Sequence, residues 1–273
     1  MKYLGLKQSL SWLKITGVSF FSALFAWYML RFFYGLTTLY FCYDLNVHAR
    51  LLLSGVDFLN KINDPVWTRD AVITIYLSGP IMSLLLGMAF FVAYVFVRRK
   101  TQSFSFFLLW TTFYSFTMMF GTFVENGVQR TGVYRVSQLM QIGDVALVVS
   151  VVVALYFLYL TGISLGKLIM LSVEPEHTHE DRMRPCYFMM AFAIPWVLVF
   201  LVSMHELNFN LRVVYLLGII SLIPFLWVKG IEAKGIRLKQ LSPFLRIDIV
   251  STLLFLLGFL LLRQFLQAGI VLG

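Results

Sequence analysis

Charge is scarce in this chain. Only 13% of its 273 residues are Asp, Glu, Lys or Arg, and 60% are hydrophobic, with a mean hydropathy of +0.83. That leaves too little polar surface to solvate a globule of this length and excludes an ordinary soluble domain. Cysteine is scarcer still: Cys42 and Cys186 fall near opposite membrane faces in the topology below, which excludes a disulfide between them. No Pro/Gly/Ser-rich linker and no period of 20 to 50 residues divides the sequence, so residues 1–273 read as a single polytopic domain. There is no G-x-S-x-G, no cysteine beside an obvious histidine partner and no phosphate-cradling Gly-rich loop. His205 and Glu206 begin the zinc motif H-E-x-x-H, but position 209 is Phe209, and the two-histidine helical face that would hold the ion is missing. No catalytic residue and no cofactor is expected. The net charge of +9 does not point to nucleic acid, because the cations sit at segment ends and form no basic face with stacking aromatics.

What the chain has is long apolar runs. A membrane span needs roughly 20 apolar residues, since the hydrocarbon core is about 30 Å thick and a helix rises about 1.5 Å per residue. Seven segments qualify, at approximately 15–43, 71–97, 103–124, 142–171, 186–204, 211–228 and 247–270. In lipid every backbone polar group must be satisfied within the segment, so these are helices despite β-prone stretches such as VALVVSVVVALYF. The fold class is all-α: a polytopic integral membrane helix bundle of about seven transmembrane helices. The first segment is far longer than a signal-peptide core and reads as a retained span. With the N-terminus cytoplasmic, fourteen Lys and Arg fall on cytoplasmic flanks and six (Arg50, Lys61, Arg69, Arg130, Arg135, Arg212) on the other side. That asymmetry places the C-terminus outside, in a plasma or inner membrane. The longest outer loop carries Leu51, Leu52, Val56, Leu59 and Ile62 at roughly helical spacing. It predicts a short helix over about 48–63, either lying in the interface or packed over the bundle mouth, with Trp67 as a headgroup anchor.

Ionisable residues inside a membrane are functional hypotheses by default. Arg31 lies near the middle of the first span and Arg263 in the last, while Glu125, Asn126 and Asp144 flank the third and fourth spans on the outer side. Glu125, Asn126 and Asp144 could form a small polar cluster with Arg130 and Arg135; the structural alternatives are that these three belong to a solvated loop, that Arg263 snorkels to the outer interface and that Arg31 pairs inside the bundle. The densest group of metal-ligand types is VEPEHTHEDRMRP, where His177 and His179 stand two apart among carboxylates. Two imidazoles suit zinc, nickel or copper, but a closed site needs further ligands at fixed geometry, and a solvated loop is the default.

In the second span, Gly79 and Pro80 interrupt an apolar run, YLSGPIMSLLLG, and predict a helix kink: Pro80 removes a backbone donor and bends the helix, and Gly79 permits close helix contact or extra bending. This stretch, the preceding FYGLTTLYFCYD, and the following FLLWTTFYSFTMMFGTFVENG with QIGDVALVV resemble, across about residues 25–155, the site-2 protease family. In that family a small residue, Gly and Pro begin the helix after the catalytic hairpin. The family's earlier span carries H-E-x-x-H and a later Asp completes the zinc site. Here the comparable region runs Gly35, Leu36, Thr37, Thr38, Leu39 with no histidine, and Asp144 stands at the place of the later Asp. The resemblance implies a degenerate, non-proteolytic relative.

Two function classes follow. The first is a non-enzymatic structural or accessory subunit of a membrane assembly, partnered by lipid and by another membrane protein or a second copy of itself. The second is a small-solute or ion transporter, which requires Arg31, Glu125, Asp144 and Arg263 to face one cavity. A third reading is a membrane enzyme or metal-binding protein using the His177/His179 loop. Metal analysis of the purified protein checks the last: no stoichiometric zinc, nickel or copper is expected, and a metal lost in the His177→Ala, His179→Ala variant would overturn that expectation.

Overall fold

The computed structural model describes residues 2–61, 64–97, 102–170, 183–227 and 249–272. All seven apolar segments are helical. Helix α1 (Lys2–Asp44) is followed by strands β1 (Ala49–Leu52) and β2 (Gly55–Phe58), then by α2 (Arg69–Val97), α3 (Gln102–Gln129), the short α4 (Val133–Leu139) and α5 (Asp144–Met170). The fifth segment is a composite of α6 (Met183–Phe188), a π-helical turn (Met189–Ala193) and α7 (Ile194–Ser203). Helices α8 (Phe209–Trp227) and α9 (Ile249–Ala268) and strand β3 (Ile270–Val271) complete the order. Among the described residues six helices are long and apolar enough to cross a membrane, and α8 contributes a shorter apolar stretch, Phe209–Pro224. The chain is a polytopic, all-α membrane bundle with a small sheet at one end.

The expected helix over 48–63 is corrected by the structure: β1 and β2 form an antiparallel hairpin, pairing Ala49 with Phe58 and Leu52 with Gly55. The apolar spacing of Leu51, Leu52 and Val56 suits either period, and the Ser54-Gly55 dipeptide decides between them. Gly55 takes φ 126°, a conformation that residues with a Cβ rarely adopt, and so closes the turn. Ala49 and Leu51 face inward while Arg50 faces out, where it pairs with Asp57 across the strands at 2.9 Å. A lone two-stranded hairpin is marginal. Here β3 adds a third strand, pairing Arg50 with Val271 and Leu51 with Ile270. The sheet covers the bundle mouth: a Cβ on Gly35 of α1 would clash with the Leu51 side chain, so Gly35 lets the hairpin seat. Trp67, expected as a headgroup anchor, packs edge-on against Phe58 at 5.3 Å and stacks on Tyr76 at 6.1 Å.

Aromatic side chains fill the centre. Trp27 of α1 meets Tyr114 of α3 at 5.2 Å and Tyr215 of α8 at 4.8 Å, and Tyr215 stacks on Trp196 of α7 at 5.2 Å. The Tyr215 hydroxyl donates to the Trp196 carbonyl at 2.7 Å and lies 3.1 Å from that of Tyr114. The π-helical turn precedes Pro195, which has no N–H to offer the Ala191 carbonyl four residues back. Ser19 of α1 donates to that carbonyl, and its oxygen accepts from the Trp110 indole at 2.8 Å. Where α5 meets α8, a Cβ on Gly162 would run into the Ser221 carbonyl, and Ser221 Oγ donates to the Leu158 carbonyl at 2.7 Å. Small residues and short hydroxyl bonds of this kind hold helices together where lipid offers no hydrophobic drive. The outer faces of α5 and α9, with Val145, Val152, Leu254 and Phe265 exposed, are apolar and suited to lipid tails.

The pairing of β1 with β3 sets a parity. It holds the C-terminal ends of α1 and α9 at one end of the bundle, so an even number of crossings separates them. Five candidate spans follow α1, namely α2, α3, α5, α6–α7 and α9, so the parity calls for a sixth crossing, for which α8 supplies the shorter apolar stretch. Single cysteines at Ser54 and Leu272, both exposed, in a Cys42→Ser, Cys186→Ser background are expected to react with an impermeant thiol reagent from the same membrane face. Labelling from opposite faces would contradict the parity.

Candidate functional site

A partly open cavity of about 170 Å³ lies beneath the sheet. Arg31, Tyr34, Gly35 and Thr38 line it from α1, at spacings of three and four that put them on one helix face. The same spacing brings Met118, Thr122, Glu125 and Asn126 to it from α3. Ile75 and Tyr76 of α2, Asn210, Leu211 and Val214 of α8, and Leu266 of α9 close the sides, and the hairpin closes the top.

Two of the sequence candidates meet here. Arg31 is 5% exposed, and its Nη2 donates to the carbonyl of Leu53 at the hairpin turn. Its guanidinium carbon lies 5.3 Å from the Tyr28 ring centroid and 5.9 Å from that of Trp27, positions at which aromatic quadrupoles favour a cation. Arg31 Nη1 is buried with no hydrogen-bond partner. Glu125 is 3% exposed; its Oε2 accepts from Asn126 Nδ2 at 2.8 Å, and its Oε1 is buried with no partner. Asn126 is held in turn: its amide also donates to the Thr122 carbonyl at 2.7 Å, while its oxygen accepts from Thr131 Oγ1 at 3.1 Å and from the Val133 amide at 3.3 Å. Glu125 is therefore fixed on one side and open on the other. No ion pair joins Arg31 to Glu125. The other unpartnered buried polar atoms among the described residues are the indole nitrogens of Trp27, Trp67 and Trp196 and the hydroxyls of Ser83, Ser115 and Thr117, all neutral groups.

The solvated-loop reading of Glu125 and Asn126 is corrected by the length of α3, which runs to Gln129 and so carries both residues inside its last turns, buried. Asp144 does not join them. It is exposed in the first turn of α5, where a carboxylate complements the helix dipole. Arg130 lies over the Tyr134 ring at 5.8 Å.

Arg263 belongs to an adjacent network. Its Nε donates to Glu206 Oε1 at 2.7 Å, its Nη2 lies 2.6 Å from the same oxygen, and the Tyr28 hydroxyl donates to Glu206 Oε2. Glu206 thus ties α1 and α9 to the α7–α8 turn with both carboxylate oxygens engaged, while His205 beside it is exposed. Glu206 is the residue the sequence reading missed as a partner. Its position just past the end of α7 and that of Arg263 near the end of α9 place both at the same end of the bundle, the signal that would have found the pair.

Gly79 and Pro80 sit on α2, which continues through Pro80 as one helix. A Cβ on Gly79 would lie 2.5 to 2.8 Å from Tyr34 ring atoms, so this glycine makes room for a residue lining the cavity. Among the described residues no group of three or more His, Cys, Asp or Glu converges, and His177 and His179 lie outside the described residues. No family model matches the chain, and no curated protein or solved structure does either.

Gly79→Val is expected to push Tyr34 into the cavity and destabilise the fold by about 1–3 kcal/mol, the usual cost of overpacking. Gly17→Ala, at a helical position open to at least 4 Å, is expected to be neutral or slightly stabilising. Steric-trapping or detergent-unfolding measurements on both variants check the contrast; equal effects would contradict it.

Proposed function

We propose that this chain is a non-enzymatic membrane protein that acts by binding a small polar molecule in the capped cavity, as the accessory, ligand-holding component of a membrane assembly. The observation that carries the reading is the pair of buried ionisable side chains, Arg31 and Glu125, which line the same cavity and each keep one buried polar atom without a partner. A buried charge retained without full compensation works against stability, and its presence is accounted for by something it binds. The cavity volume is slightly above the roughly 150 Å³ that holds a benzene-sized molecule, so the occupant is small.

The transporter alternative is less well supported. One turn toward the N-terminus of α1 from Arg31, the layer of Trp27, Tyr114, Trp196 and Tyr215 fills the bundle. A solute in the cavity would have to pass this layer to cross. The orientation proposed with this role puts the cavity on the extracytoplasmic side, following the Lys and Arg asymmetry. The reading agrees with the non-proteolytic scaffold that the site-2 protease resemblance implies, with shape kept and zinc chemistry gone.

The test is native mass spectrometry of protein extracted in mild detergent. A retained small molecule is expected in the wild type and absent in Arg31→Met. That variant is expected to remain folded, its stability changed by no more than about 2 kcal/mol, because removing a buried charge offsets the lost bond to the Leu53 carbonyl. Retention unchanged in the variant would overturn the assignment, and solute flux through sealed proteoliposomes would favour the transporter.

A further inference from the structure

We infer that the cavity selects a small zwitterion: an acidic group for Arg31 and a primary ammonium for Glu125. The inference rests on the binding role proposed above and deepens it by naming the ligand class. Arg31 Nη1 is a donor on a permanent cation, so its missing partner is an acceptor, best an oxyanion such as carboxylate or phosphate. Glu125 Oε1 belongs to a carboxyl whose other oxygen already accepts from Asn126, so its missing partner is a donor, best an ammonium.

The two residues do not neutralise one another. They stand on different helices with no ion pair between them, so a molecule carrying only one charge leaves the opposite group buried and unpaired. A linear ω-amino acid and the phosphoethanolamine headgroup of a lipid are zwitterions that lie within the roughly six to ten non-hydrogen atoms that a cavity of this size admits. The remaining lining suits such a chain: Met118, Val214 and Leu266 are apolar against its methylene carbons, while Arg31 and Glu125 take its ends.

The experiment is a set of binding isotherms on the full chain in maltoside micelles. The free probes are 5-aminovalerate, valerate and pentylamine; the lipid probes are dihexanoyl phosphatidylethanolamine and dihexanoyl phosphatidylglycerol. A zwitterionic probe is expected to bind at least about tenfold more tightly than its singly charged counterparts, and the tighter of 5-aminovalerate and the ethanolamine lipid identifies the source. Arg31→Gln is expected to weaken zwitterion binding at least about thirtyfold and to leave pentylamine unchanged, and Glu125→Gln to do the converse with valerate, as for truncating one side of a buried charged contact. Arg31→Lys, which keeps the charge and loses the planar fork, is expected to recover part of the affinity. Valerate binding as tightly as 5-aminovalerate, with phosphatidylglycerol matching the ethanolamine lipid, would overturn the zwitterion and leave a binding site for anions. A natively retained molecule lacking either charge would also overturn it. No probe binding together with no retained molecule would remove the binding role itself.

Discussion

A guanidinium held inside an apolar bundle is the constraint around which one end of this molecule is built. Arg31 is permanently charged and 5% exposed, in an environment where an unpaired charge is costly. The compensation comes partly from its own helix and partly from beyond it. The hairpin between α1 and α2 turns its Leu53 carbonyl onto Nη2, and the rings of Trp27 and Tyr28 offer their faces. For the carbonyl to stay in place the hairpin must be fixed, and three features fix it: Gly55 in the turn, Gly35 beneath Leu51, and the strand pairing with β3 from the far end of the sequence. The sheet thereby roofs the cation.

The two charged networks at this end do different work. Arg263, Glu206 and Tyr28 satisfy one another, with both Glu206 oxygens occupied, and they fasten α9 and the α7–α8 turn to α1. This is a structural clamp, and Arg263 is exposed enough for water to share its charge. Arg31 and Glu125 are each satisfied on one side only, and both residues line the same cavity. Tyr28 links the two sets, since its hydroxyl serves Glu206 while its ring faces Arg31.

The spans were legible in the sequence because hydropathy and backbone satisfaction in lipid leave helices as the only solution for long apolar runs, and the structure gives a helix at each of the seven segments. Arg31 and Glu125 were legible as candidates because ionisable residues are conspicuous in such runs. Their meeting was not, because it depends on which faces of α1 and α3 turn toward each other, and periodicity is silent in helices that are apolar all round. The hairpin was misread as a helix because Leu51, Leu52 and Val56 fit both periods and the informative residues, Ser54 and Gly55, are local. The Arg263–Glu206 pair was hidden by a sequence separation of 57 positions. Asp144 drew attention as a charge at a span's edge, where it serves the dipole of its own helix.

The floor of the cavity gives the site its character. Trp27, Tyr114, Trp196 and Tyr215 close the bundle with rings whose hydroxyls are bound to each other and to the Trp196 carbonyl, so the polar chemistry ends at Arg31. The most direct measurement is an experimental density map of the protein purified from its native membrane, at a resolution that orients the Arg31 and Glu125 side chains. The account predicts a single elongated density joining Arg31 Nη1 to Glu125 Oε1 beneath the hairpin. The two side chains closed onto each other, with no density between them, would contradict it.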